Sequence, residues 1–228
     1  MLRMPDAQTI LGLWEQAEHE HPIDRALSIL SVFARASRSS LASLPIHRRD
    51  ALLLASRVAA FGYTLEGVAA CPGCGCKVDA ALTLPAAAAV PSDDKGRVEV
   101  EGRAVGFRIP NSRDLAAAVR APDAEAAGRM LLTRCQLASE PGEAVARAID
   151  AEIERLCEAS SLELKMACPQ CSGEFVVPVD IASFFWDELV FYAKRLLEDV
   201  DALAQRYGWT EADVLSLPER RRRYYLEL

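Results

Sequence analysis

Histidine is scarce in this 228-residue chain: His19, His21 and His47 are the only three, and all sit near the start. No Ser–His–Asp or Cys–His set suggests itself. There is no phosphate-cradling glycine loop and no pair of carboxylates at an apolar bottleneck. The expectation is a protein that is not an enzyme. Long apolar runs are missing too, since none approaches the roughly 20 residues that cross a bilayer. Met1 to Gln16 has no basic stretch followed by an apolar one, so no signal peptide is expected. The expected address is the cytoplasm of a bacterial cell, without membrane contact. Positive charge is also short. Twenty-six Lys and Arg face 33 Asp and Glu, for a net charge of −7, which makes nucleic acid an unexpected partner because phosphate binding rests on Lys and Arg.

What is present is half hydrophobic and a quarter charged, as in a soluble globular protein. Apolar periodicity predicts helices around Ile10–Ala17, from Pro22 through Phe33, and over Asp50–Phe61, with a break at Ser39–Pro45. Tyr63–Ala70 and Lys77–Leu84 read as strands on either side of Cys71-Pro-Gly-Cys-Gly-Cys76. Pro85–Lys95 reads as a loop. Arg97–Ile109 reads as a β-hairpin turning at Glu101-Gly102. Three helices follow: one capped by Asn111 or Ser112 to Val119, one capped by Asp123 to Ala138, and one over Glu143–Ala159. Leu162–Met166 and Glu174–Val179 are strands around Cys168-Pro-Gln-Cys171. Asp180 caps a long helix to about Tyr207, with Gly208 suited to its C-terminus. Thr210 with Asp213 forms a capping-box signal, with Trp209 and Val214 as a hydrophobic staple. Ser216 with Glu219 repeats the box before a last helix.

Seven cysteines without a secretory signal do not read as a disulfide framework. Two Cys-Pro-x-Cys motifs, each between strands, point to four thiolates around one structural zinc: Cys71, Cys74, Cys168 and Cys171. Gly75 lets the first knuckle curl. The second has Ser172 before Gly173, a looser version. A redox dithiol is disfavoured, because such motifs open a helix in a βαβ setting. Cys76 is a poorer ligand than Cys74 by spacing, and Cys135 and Cys157 read as core residues. Joining segments about ninety residues apart would close a long loop and stabilise the fold by on the order of a few kcal/mol. The fold class is α+β, mainly α-helical, with a small β zinc ribbon made by the two knuckles and an inserted β-hairpin. The expected organisation is an N-terminal helical region (1–62), a split ribbon (63–179) with an insertion at about 85–160, and a C-terminal helical region (180–228), together one compact unit.

Four stretches then form a series. They begin with Leu11-Gly-Leu-Trp-Glu15 and Arg25-Ala-Leu27, then Leu44-Pro-Ile46 and Arg49-Asp50 running to Phe61-Gly62. The two knuckles follow, with Phe107-Arg108-Ile-Pro110 and Asp114-Leu115 between them. Last come Phe185-Trp186-x-Glu188, Arg195-Leu-Leu197, Tyr207-Gly-Trp209 and Arg221–Tyr225 with Leu226. In this the chain resembles the baseplate hub assembly chaperone family of contractile-tailed, T-even-like phages and phage-tail-like contractile injection systems. Ser172 departs from the glycine of that pattern. The resemblance implies a non-enzymatic hub assembly chaperone or hub-associated component of the tail particle, with baseplate hub or spike proteins as partners. The expected partner surface is Trp209, Arg220, Arg221, Arg222, Arg223, Tyr224 and Tyr225. The competing reading is a zinc-ribbon nucleic-acid-binding or regulatory protein, for which the ribbon offers only Lys77 and Lys165.

Overall fold

A computed structural model describes residues 2–84, 93–136, 142–158 and 162–228. It is a mixed α+β chain in which helices dominate and every sheet is a two-stranded antiparallel hairpin. Four helices come first: α1 (Ala7–Ala17), α2 (Pro22–Phe33), α3 (Arg38–Ala42) and α4 (Ile46–Phe61). Asp6, His21 and Ser37 each accept a backbone N–H from the first turn they precede. Two expectations change here. The break at Ser39–Pro45 contains α3, started by the Ser37 cap. The next helix begins at Ile46 rather than Asp50. No side chain caps it, so its start carries no local signal; instead the Ile46 N–H donates to the distant Pro110 carbonyl at 2.9 Å.

The first knuckle hairpin is β1 (Thr64–Ala70) with β2 (Lys77–Thr83), and the second is β5 (Leu162–Ala167) with β6 (Glu174–Val179). Between them lie the hairpin β3 (Lys95–Val100) and β4 (Arg103–Arg108), then α5 (Ser112–Ala118), α6 (Ala124–Cys135) and α7 (Glu143–Glu158). The β3–β4 turn has φ of +53° at Glu101 and +72° at Gly102, the primed geometry that matches strand twist. Gly96 faces Phe107 across this hairpin, and a Cβ there would lie 2.3 Å from its ring. The expected extension of α6 to Ala138 does not form: Gln136 is extended and bridges Phe107, which ends the helix at Cys135. The end of α7 at Ala159 and most of the loop at 85–95 fall outside the described residues.

The insertion is tied to the N-terminal helices by polar contacts. Arg49 reaches Ser112 Oγ at 3.3 Å, Arg113 donates to the Ser39 carbonyl at 3.0 Å, and Arg48 pairs with Asp94 at 2.5 Å. Within the insertion, Asp114 is 1% exposed. Its carboxylate accepts from Arg108 at 2.5 Å, Arg134 at 2.8 Å and the Asn111 N–H at 2.9 Å. Burial raises its pKa, but the two guanidiniums and the N–H outweigh that, and the net shift is downward.

The C-terminal region is α8 (Ile181–Tyr207), α9 (Glu211–Ser216) and α10 (Glu219–Glu227). Asp180 caps α8 and Gly208 closes it in the left-handed conformation. Thr210 and Asp213 form the expected capping box. The second box does not form: Ser216 Oγ donates back to the Asp213 carbonyl, and Pro218 is the cap of α10. Leu217 and Pro218 remain extended, so Ser216 cannot reach the new helix start.

The main core packs α1, α2 and α4 against the first half of α8. Ile10, Ile29, Leu30, Leu53 and Phe185 have no exposure. Phe185 meets Phe33 edge-on at 5.1 Å and Phe61 at 6.1 Å. One ion pair crosses this core. Arg57 on α4 is 2% exposed and grips Glu188 on α8 with two bonds of 2.8 and 2.5 Å. Two further donors go to the carbonyls of Gly62 and Thr64 at 2.8 and 2.7 Å.

Two predictions follow from these networks. Glu188→Ala strands a buried guanidinium and should lower unfolding free energy by about 3 kcal/mol in urea titration; a loss under about 1 kcal/mol would mean water serves Arg57 equally well. Asp114, whose folded pKa is depressed, contributes stability that is fully present above its unfolded pKa. That contribution is lost as pH falls through the folded value. Asp114→Asn should therefore destabilise the protein at neutral pH and flatten its stability–pH curve below about pH 4, read by thermal melts across pH.

Candidate metal centre

The two knuckles have one backbone plan. In the first, the Cys71 N–H donates to the Cys76 carbonyl at 2.8 Å and the Gly75 N–H to the Cys71 carbonyl at 2.8 Å. In the second, the Cys168 N–H donates to the Gly173 carbonyl at 2.9 Å and the Ser172 N–H to the Cys168 carbonyl at 2.8 Å. Position by position, Gly75 matches Ser172 and Cys76 matches Gly173. Gly75 has φ of +74° and Ser172 +58°. The second knuckle is therefore not looser: Ser172 adopts the left-handed turn itself and carries the strain that glycine avoids.

The knuckles meet so that the sulfurs of Cys71, Cys74, Cys168 and Cys171 all lie within 4.8 Å of one another. Cys71 Sγ is 3.7 Å from Cys171 Sγ, and Cys74 Sγ is 3.5 Å from Cys168 Sγ. A tetrahedron with sulfur at about 2.3 Å from the metal has edges of about 3.8 Å. The cluster thus fits one metal ion, with a ligand pair from each side of the insertion. Cys71 and Cys168 are buried while Cys74 and Cys171 reach the surface. Val78, Met166 and Phe175 pack around the buried side.

The sulfurs divide their proton affinity. Backbone N–H groups of Cys171 and Gln170, with the Cys74 and Cys171 sulfurs, offset burial and hold the Cys168 thiol down at about 6. At Cys74 the Cys76 N–H favours the thiolate. The Cys168 sulfur, desolvation and the other cluster sulfurs outweigh it and raise the pKa to about 12. Without a cation, four thiolates so close cannot all ionise; a divalent ion reverses that balance.

The other three cysteines stay outside the cluster. Cys76 Sγ contacts the Lys77 carbonyl at 3.5 Å, because its position in the knuckle is that of Gly173. Cys135 is fully buried beside Arg108, Arg134 and Asp114, and burial pushes its thiol up to about 11. Cys157 is half-buried on α7.

The expected partner surface divides. Arg222 is 2% exposed and donates from Nε to Asp199 on α8 at 2.8 Å. It is a strut between α10 and α8, so its place among partner-facing residues is corrected. Trp209 stacks on Tyr207 at 4.8 Å and meets Tyr225 edge-on at 4.9 Å. Arg220, Arg221 and Arg223 are exposed, Arg223 beside Glu219 at 2.6 Å, and Tyr224 is exposed. No protein-family model, curated protein or solved structure matches the chain, so its residues carry the functional reading.

Cys71→Ser or Cys168→Ser should abolish metal retained after desalting, while Cys76→Ser keeps it; metal lost from the Cys76 variant would relocate the site. Ser172→Gly should raise stability by about 0.5 kcal/mol, since relieved strain exceeds the added freedom of the unfolded chain. Denaturant titration of the metal-loaded protein reads it.

Proposed function

We propose that this protein is a non-enzymatic assembly component of a contractile-tail baseplate, a hub assembly chaperone or hub-associated structural protein. It acts through protein–protein contacts on a body stapled by one structural zinc. The observation that carries the reading is the four-sulfur cluster itself. Soft thiolates at tetrahedral spacing suit zinc, and four of them leave no coordination position for a substrate. The two knuckles then make a zinc ribbon split by an insertion. The ordered series of motifs over almost the whole chain supplies the kind of assembly.

Several motif residues hold the body together. Arg25 donates to the carbonyls of Ala17, Glu18 and Glu20 at the end of α1 and lies over Trp186 at 4.5 Å. Glu188, Arg108 and Asp114 belong to the ion-pair networks described above. That leaves Arg220, Arg221, Arg223 and Tyr224 as the exposed part of the expected partner surface, supported from beneath by Trp209 and Tyr225. Among the described residues no helix is long and apolar enough to cross a membrane.

The protein should purify with close to one equivalent of zinc. A variant combining Arg220→Ser, Arg221→Ser and Tyr224→Ala should keep that zinc and its melting temperature but lose co-purification with hub and spike proteins of a contractile tail. Undiminished capture of those proteins would reject the surface, and no capture by the unaltered protein would reject the function. Salt-sensitive retardation of a nucleic acid would favour the zinc-ribbon nucleic-acid reading instead.

A further inference from the structure

The outer face of α8 carries an apolar line. Phe185, Leu189, Ala193 and Leu196 turn inward and are buried. Phe191 lies two residues from both Leu189 and Ala193, about 200° around the helix, and is 65% exposed. Phe184, seven residues earlier, shares its stripe. Both rings line a trough of about 800 Å³ whose apolar walls include Ala60, Phe61 and Val68. Val68 is exposed as well, so this is a patch and not a lone surface aromatic.

The charges beside Phe191 are ordered. Asp187 and Glu188 stand one turn before it, and Lys194 and Arg195 one turn after. Asp187 and Lys194 are seven residues apart, as are Glu188 and Arg195, so each acid–base couple occupies one flank of the stripe. Two turns separate the members of a couple, about 10 Å along the axis, too far for a bond within one helix. Among the described residues Asp187 and Lys194 have no ion-pair partner, and Arg195 lies over the Phe191 ring at 6.0 Å. The other arginines of the trough, Arg57 and Arg223, are already held by Glu188 and Glu219.

Read in either direction, this face runs from two like charges through an aromatic ring to two of the opposite sign. A partner of one charge sign is therefore repelled at one end, and a parallel copy sets acid against acid. The surface that complements the face is the same face reversed. Two antiparallel copies related by a twofold axis at Phe191 bring ring to ring and set each Asp187 level with the second copy's Lys194. Arg195 then meets the part of Glu188 that Arg57 leaves exposed. Glu198 ends the apolar line, level with the second copy's Phe184.

We propose that the protein forms a symmetric dimer through this face of α8, with Phe191 of both copies at the axis. The dimer goes beyond the assembly reading and does not rest on it.

The test is sedimentation of the full zinc-loaded chain in reducing buffer, which excludes a disulfide between exposed cysteines. It should show a monomer–dimer equilibrium that depends on concentration. Phe191→Glu should leave a monomer with unchanged zinc content and melting temperature, because this side chain points away from the core. Asp187→Lys or Lys194→Glu alone should weaken dimerisation at least about tenfold, and the two together should restore it. That rescue requires two copies, since the positions cannot touch within one helix. Should Phe191→Glu disturb the fold, the charge pair decides by itself. The inference is overturned by a monomer at every concentration up to about 1 mM, by a folded Phe191→Glu protein that still dimerises, or by a double charge variant that stays weak. A monomer that needs Phe191 to capture hub proteins would assign the face to a different partner and also overturn it. Hub capture by a monomeric Phe191→Glu protein would leave the assembly reading standing, and a dimer that captures no hub protein would leave this one.

Discussion

Arg57 fixes the spatial relation between the helical core and the metal centre. Four of its five N–H groups reach three parts of the chain: two bonds to Glu188 on α8, one to Gly62 at the end of α4, one to Thr64 at the start of β1. The first knuckle hairpin begins at Thr64, and the second ends in the Asp180 cap of α8. One buried side chain thus ties the root of the first hairpin to the helix that the second hairpin leads into. A buried charge is costly unless every donor is served, so this cluster tolerates few arrangements. The Phe184 ring lies 5.8 Å from the guanidinium, and apolar burial in the core supplies the driving force that the ion pair directs.

At the other end of the hairpins, the sulfur cluster closes the same loop a second time. Pairs 94 and 100 residues apart are brought within about 4 Å. The insertion can vary in length at low entropic cost because it is closed at both ends by fixed structure. Its own contacts with the core are polar and local, through Arg48, Arg49 and Arg113. Metal and ion pair divide the work: Arg57 sets where the first hairpin starts against α8, and the sulfurs set where the two tips meet.

The C-terminal arginine run shows how one sequence feature divides in three dimensions. A helix sends Arg222 inward to Asp199 and leaves Arg220, Arg221 and Arg223 outside. The unsplit run reads as a single surface because four like residues give no apolar stripe by which to orient the helix. Tyr207 and Trp209 behind it provide the packing that sets the rotation.

Much of the local structure was legible from residues alone. Asn111, Asp123, Asp180 and Thr210 lie at helix starts and accept the N–H groups those starts expose; Gly102 and Gly208 turn where a side chain would be strained. Two Cys-Pro-x-Cys motifs between strands sufficed to select the four sulfurs, since a tetrahedral thiolate shell demands paired ligands at that spacing. Tertiary structure alone decided the start of α4 at Ile46, where the bond to Pro110 replaces a cap. It also decided the burial of Arg222 against Asp199. Each of these depends on groups far apart in the chain, and local propensity carries no record of a partner it does not touch.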